Sequence, residues 1–326
     1  MKKIALLLLV VVMVSATLLG GCGEETTEYK IGITQIVDHP ALNNARKGFI
    51  DALADEGFVE GENVTFIFRD ANGDSNNTRP IAESFVADGV DMILAISTPS
   101  AEAAAEVTTE IPILITAVTD PVQSKLVNSL EEPGTNVTGT HDNFPQEVLK
   151  EQLRLMQELT PGLKTIGVLF NSGEENSVVQ VETVEKVAAE MGLQIEKAAV
   201  TTTGEVAQAA ESLVGKVEAF YVPTDNTVVS AISSVVQVAE EHKIPLFAAE
   251  ENTVDNGAVA TYGIVYYELG YQTGKMAAKI LRGEAEPATM PVEGQSEFFY
   301  VVNKTAARNM GVELPQSLLD KARVVE

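Results

Sequence analysis

The chain has 326 residues, 45% of them hydrophobic, enough for two domains with ordinary cores and with no low-complexity tract. A formal net charge of −25 excludes a general nucleic-acid or anionic-lipid surface. One cysteine in the whole chain excludes a disulfide framework.

Lys2-Lys3 is a positive start, residues 4–14 are a short apolar run, and Leu18-Leu-Gly-Gly-Cys22 follows. This is the layout of a secretory signal, too short for a spanning helix. Leu19-Gly20-Gly21-Cys22 resembles the bacterial lipobox, which implies cleavage before Cys22 and lipidation there, with residues 22–29 as a polar tether. Without residues 1–21 the chain keeps 20 basic against 47 acidic residues, a net charge of −27.

From Lys30 the pattern alternates. A strand at 30–35 precedes a helix at 40–56, with Leu42, Ala45, Phe49, Ala52 and Leu53 at helical spacing. A strand at 64–69 and a helix at 79–88 follow. Met92 to Ile96 is an uninterrupted apolar run, the mark of a strand buried on both faces. It leads through Ser97-Thr-Pro-Ser100 into an alanine-rich helix. Pro in the first turn and a hydroxyl at the cap place the helix start there. Free N–H groups and the helix dipole make that start an anion site. A strand at 111–117 and a short helix at 122–130 come next. The polar stretch 137–144 is expected to cross between domains.

A long amphipathic helix at 145–159 then precedes a restart: strand 165–170, helix 177–191, strand 193–200, helix 206–214, strand 219–222, helix 227–241, strand 244–248 and strand 258–262. The restart is a weak internal repeat. Ile31-Gly-Ile matches Ile166-Gly-Val, and Glu110-Ile-Pro-Ile-Leu114 matches Lys243-Ile-Pro-Leu-Phe247. Asp91 to Thr98 aligns with Glu218 to Asp225, which sets Thr98 opposite Asp225. The helix 268–281 is expected to return to the first lobe, with a strand at 298–302 and helices at 304–310 and 315–322 closing the chain. The pattern predicts an α/β protein of two doubly wound parallel-sheet lobes joined by a multi-strand hinge, with the ligand in the cleft. Lobe 1 takes residues 30–140 plus about 267–292. Lobe 2 takes 141–266 plus about 293–326.

No phosphate loop, dinucleotide fingerprint, G-x-S-x-G or H-E-x-x-H motif occurs. His39, His141 and His242 are far apart, and no carboxylate spacing completes a metal site with them. Polar clusters instead follow the apolar strands, where open α/β sheets bind ligands. They supply the candidate binding residues: Gln35 and His39; Ser97, Thr98 and Ser100; Thr119 and Asp120; Asn143 and Phe144; Asn171 and Asn176; Asp225 and Asn226; Glu250; and Tyr262. Capping of the following helix explains Asp225 or Asn226 as readily as ligation does.

Gln35-Ile-Val-Asp-His-Pro-Ala-Leu-Asn-Asn-Ala-Arg-Lys-Gly-Phe49, Thr116-Ala-Val-Thr-Asp-Pro121, Thr224-Asp-Asn-Thr227, Ile244-Pro-Leu-Phe-Ala-Ala-Glu250 and Ala260-Thr-Tyr-Gly-Ile-Val-Tyr-Tyr-Glu-Leu-Gly270 resemble a known family. It is that of the substrate-binding lipoproteins of ABC importers, tryptophan/tyrosine-transport type. The resemblance implies a class I periplasmic-binding-protein fold, a three-strand hinge, no catalysis and no cofactor. It also implies docking on a membrane permease paired with an ATPase, and an aromatic amino acid (tryptophan, phenylalanine or tyrosine) as ligand. A non-amino-acid solute such as a nucleoside or sugar is the alternative on the same fold. The expected product is a monomer, lipid-anchored to the outer face of the bacterial cytoplasmic membrane. For an amino acid, Thr98 and Ser100 suit the ligand carboxylate and Asp225 suits the ammonium, with Asp120 as second choice. Phe144, Tyr262 and Tyr266 are candidates to stack on an aromatic side chain.

Overall fold

The computed structural model describes residues 28–326. The expected signal segment, the lipid-bearing Cys22 and most of the tether lie outside the described residues. Among the described residues no helix is long and apolar enough to cross a membrane.

The first half builds β1 (Tyr29–Gln35), α1 (Pro40–Asp55), β2 (Val64–Asp70), α2 (Thr78–Asp88), β3 (Met92–Ile96), α3 (Thr98–Val107), β4 (Ile113–Val118) and β5 (Val137–His141). The apolar periodicity of α1 is its core stripe: Leu42, Ala45, Phe49, Ala52 and Leu53 are all buried. Gly89, at φ 64°, ends α2 in the left-handed conformation that glycine adopts without penalty. Every residue of β3 is buried, because parallel neighbours flank it and helices cover both faces.

The second half builds α4 (Gln146–Leu159), β6 (Thr165–Asn171), α5 (Glu175–Glu190), β7 (Gln194–Val200), α6 (Val206–Leu213), β8 (Ala219–Val222), α7 (Asn226–Ser230), α8 (Ile232–His242), β9 (Leu246–Ala248), α9 (Glu251–Asp255) and β10 (Ala260–Gly263). Then come α10 (Tyr266–Leu281), β11 (Glu293–Gly294), β12 (Phe299–Asn303), α11 (Lys304–Met310), α12 (Gln316–Leu319) and β13 (Arg323–Val325).

Two sheets result, ordered β11-β5-β4-β3-β1-β2 and β13-β12-β10-β9-β8-β6-β7. The run β5-β4-β3-β1-β2 has the same order as β10-β9-β8-β6-β7, so the repeat in the sequence is a repeat of topology. Gly32 and Gly167 show why one of its residues recurs. A Cβ at Gly32 would lie 2.7 Å from the Phe85 ring, and one at Gly167 would lie 2.9 Å from Leu213. Each central strand is approached that closely by a side chain of its covering layer.

The chain passes between the sheets three times: after β5, between β10 and α10, and between β11 and β12. The first sheet runs through His141 and takes in β11, a strand absent from the sequence pattern. Helix α10 returns to the first lobe and packs on α1 through glycines. A Cβ on Gly270 would lie 1.9 Å from the Ala45 carbonyl oxygen, and one on Gly48 2.0 Å from that of Tyr267.

Two expected helices differ. Residues 122–130 form irregular turns, with Lys125 at φ 57° and the Asp120 side chain accepting from the Val122 and Gln123 amides. The helix expected at 227–241 is broken at Ala231 into α7 and α8.

Candidate functional site

The carboxyl ends of both sheets face one another across a narrow, nearly filled cavity of about 10 Å³. The side of the first sheet lines it with His39, Ala41, Leu42 and Ala117, together with Asp142 and Tyr266, which the bounds expected from sequence put in lobe 2 but which stand with β4 and α10. The side of the second sheet lines it with Asn176, Thr224, Asp225, Asn226, Val229 and Glu250. Of the candidates from the sequence, His39, Asn176, Asp225, Asn226 and Glu250 therefore share its wall. Thr119 stands beside it, donating to Asp142 at 2.9 Å and accepting from Gln180 of lobe 2 at 3.0 Å.

The helix starts at the facing strand ends differ, and Ser97, Thr98 and Ser100 at the start of α3 are not among the residues that line the cavity. In lobe 2, Asp225 caps α7, accepting from the Val228 amide at 2.7 Å, the Asn171 amide at 2.5 Å and the Ser177 hydroxyl at 2.6 Å. Glu250 caps α9, accepting from the Asn252 and Thr253 amides. These N-termini already face an anion of their own chain. In lobe 1, α3 has no side-chain cap. Ser97, Thr98 and Ser100 are buried there, and the Ser97 and Ser100 hydroxyls have no partner. Thr98 only accepts a long bond, 3.5 Å, from the Thr119 amide. Ser97 sits at φ 81°, and Ala117, at the end of the neighbouring strand, at φ 55°. Such strained backbone in non-glycine residues collects at ligand sites.

The cavity is electrostatically one-sided. Asp142, Asp225 and Glu250 face it, and among the described residues no lysine or arginine lines it. Burial drives the Asp225 carboxyl up to about 7, with nearby Glu174 adding to the effect. Burial likewise drives Glu250 up to about 7 and raises Asp142. Asp142 accepts from the Thr119 hydroxyl and, at 2.6 Å, from the Tyr266 hydroxyl, which leaves it more free lone pairs than the two capping acids. Burial lowers the His39 imidazole to about 4. Neither His39 nitrogen has a hydrogen-bond partner, although the Asn226 amide stands near enough to offset part of the burial effect. The Asn176 side-chain oxygen is also unpartnered.

The other candidates are placed elsewhere. Gln35 braces the loop after β1, bonding Val37, Asn43 and Arg46. Asp120 caps its turn, Asn143 is exposed, and Asn171 bonds Glu174 and Thr227 inside lobe 2. Phe144 and Tyr262 do not reach the cavity. They pack against Phe298, with centroids 6.3 and 6.2 Å away, so an aromatic cluster forms where the chain crosses, with Phe144 and Phe298 in two crossings and Tyr262 in the strand that enters the third. Tyr266 lines the cavity, with its hydroxyl committed to Asp142.

Sequence reasoning missed Asp142, Gln180, Thr224 and Glu174. Asp142 had a signal, since it directly follows β5 just as the other candidates follow their strands. Gln180 projects from the middle of α5, and nothing in the sequence marks it.

Two doubly wound lobes, three crossings and a polar cavity between facing strand ends define a periplasmic-binding-protein fold of class I. The profile of the family described as ABC transporter substrate binding protein matches residues 30–326, and the chain belongs to that family. It is 44% identical over 283 residues to a tyrosine-binding protein of Clostridioides difficile, covering 87% of this chain and 81% of the relative. Among solved structures, a domain from Streptococcus pneumoniae in complex with L-Trp is 37% identical with a TM-score of 0.87, covering 92% of this chain and all of that one. The ligand-free, open form of a substrate-binding protein with adhesive properties from Clostridium difficile is 46% identical, covering 91% and 99%, yet its TM-score is only 0.69.

Proposed function

We propose that this protein is a lipid-anchored receptor that captures a free aromatic amino acid by closing its two lobes and delivers it, unchanged, to an ABC permease and its ATPase. The observation that carries the ligand class is the contrast between the two helix starts. A buried charge needs a partner. An amino acid brings one anion and one cation. The uncapped, hydroxyl-lined start of α3 suits the carboxylate, and the acidic wall of the cavity suits the ammonium. Asp142 is the preferred ammonium partner, because Asp225 spends its oxygens on the Val228 and Asn171 amides and the Ser177 hydroxyl, and Glu250 spends both of its own on the Asn252 and Thr253 amides. A sugar has neither charge and would leave the acids uncompensated. The relatives' tyrosine and L-Trp ligands support an aromatic side chain.

The test is thermal unfolding and titration calorimetry with tyrosine, tryptophan, phenylalanine, ribose and a nucleoside. Ligand at a hundred times its dissociation constant adds about 2.7 kcal/mol of stability, and the amino acid should be recovered chemically intact. Asp142→Asn should weaken binding by roughly 30- to several-thousand-fold, the effect of about 2–5 kcal/mol for removing one member of a buried charge pair. Binding of the nucleoside or ribose in place of every amino acid would overturn the ligand class. The anchor rests on the lipobox-like residues and is tested by Cys22→Ser. That variant should remain an uncleaved precursor, and wild-type processing would refute lipidation. The protein is expected to sediment as a monomer.

A further inference from the structure

We infer that His39 selects among aromatic amino acids, its unprotonated ring nitrogen accepting a hydrogen bond from an N–H or O–H carried on the ligand's ring. The inference rests on the aromatic amino-acid reading and narrows it. His39 occupies the cap position of α1 but its side chain caps nothing. It is 6% exposed, and among the described residues neither ring nitrogen makes a well-formed hydrogen bond, the Asn226 side chain standing near it without the geometry of one. Buried polar atoms without partners are costly, and a side chain like those of neighbouring Ala41 and Leu42 would avoid that cost. The polar atoms of the imidazole make sense if their partner enters the cavity. Burial keeps the ring neutral near pH 7, so it offers one donor and one acceptor.

The position fits the far end of such a ligand. His39 follows β1 and Asp142 follows β5, and the sheet order runs β5-β4-β3-β1. Three strand steps of about 4.8 Å separate the two loops by about 14 Å. That is roughly the span of an aromatic amino acid with a hydrogen bond at each end. With the ammonium on Asp142 and the carboxylate at the start of α3, the ring points along the sheet toward His39. Leu42 of lobe 1 and Val229 of lobe 2 supply apolar walls there. Tyrosine and tryptophan carry a donor on the ring; phenylalanine leaves the His39 nitrogen unpaired.

The experiment is calorimetric titration of the intact protein with tyrosine, tryptophan and phenylalanine, for the wild type, His39→Leu and His39→Gln. The wild type should bind tyrosine or tryptophan about five- to a hundredfold more tightly than phenylalanine, the usual effect of a buried polar group left unpaired. His39→Leu should bring that ratio close to one, while His39→Gln, which keeps a donor and an acceptor, retains a preference. Equal weakening of all three ligands in His39→Leu would overturn the inference, since His39 would then serve the groups they share. Equal wild-type affinities would overturn it without any variant. Failure of the wild type to bind all three would sink the aromatic reading itself, a result distinct from binding without discrimination.

Discussion

Asp225 shows how one side chain serves both stability and site. It caps α7, holds the Asn171 amide and the Ser177 hydroxyl, and still lines the cavity. Asp225→Ala therefore does more than remove a ligand contact. Loss of a cap costs about 1 kcal/mol, and each buried donor left unpaired a further 1–3 kcal/mol. The variant should unfold at markedly lower denaturant, about 2–4 kcal/mol less stable by the same rules; unchanged stability would refute the capping role. The pH dependence has a definite sign. Carboxyls raised to about 7, namely Asp225, Glu250 and Glu102, bind protons in the folded state that the unfolded chain has already released. Their stabilisation is full at low pH and is lost as pH rises through 7. His39, lowered to about 4, opposes this only below its unfolded value of 6.5. The melting temperature of the free protein should thus fall from pH 6.5 to 8, and an ammonium-bearing ligand should flatten the fall. A rise across that window would contradict the burial of these acids. Sequence alone located His39, Asn176, Asp225, Asn226 and Glu250 at the cavity because strand ends are readable. It chose Asn143 and Phe144 over Asp142 because successive side chains leaving a strand point to opposite sides, and the pattern does not say which one turns inward.

At the scale of elements, apolar spacing made α1, β3 and α11 legible almost to the residue. The short helix expected at 122–130 failed because Asp120 and its side-chain bonds fold that segment into turns instead. Strands β11 and β13 are too short to leave an alternating signal. The α1–α10 contact was invisible for another reason: it depends on the absence of side chains. Gly270→Ala would force a Cβ onto the Ala45 carbonyl. Overpacking of this kind costs about 1–3 kcal/mol, and more where only backbone can yield. Chemical denaturation should show that loss. A change below about 0.5 kcal/mol, the range of neutral surface substitutions, would mean that the helices do not meet so closely in solution.

For the whole molecule, the duplicated topology was readable from matched strings at near-constant spacing. The angle between the lobes was not, because few residues set it. The Gln180–Thr119 bond joins the lobes beside the cavity, while Phe144, Tyr262 and Phe298 pack where the chain crosses. Movement about those crossings leaves each sheet intact, the signature of hinge closure. Ligand should lower the radius of gyration measured by small-angle scattering. An unchanged radius at saturation, with the free protein shown to be open, would refute closure as the means of capture.

The interleaved path of the chain also sets a timetable for folding. The Tyr29 hydroxyl bonds the Leu281 carbonyl, and the Thr138 hydroxyl bonds that of Met290. The second sheet waits for β12 and β13, which end at Val325. Each sheet closes only through contacts distant in sequence, and such contacts form slowly. A precursor carrying the proposed export signal would therefore stay threadable for longer than one built of locally closed units. The same three crossings about which the lobes would bend also postpone the closing of each sheet.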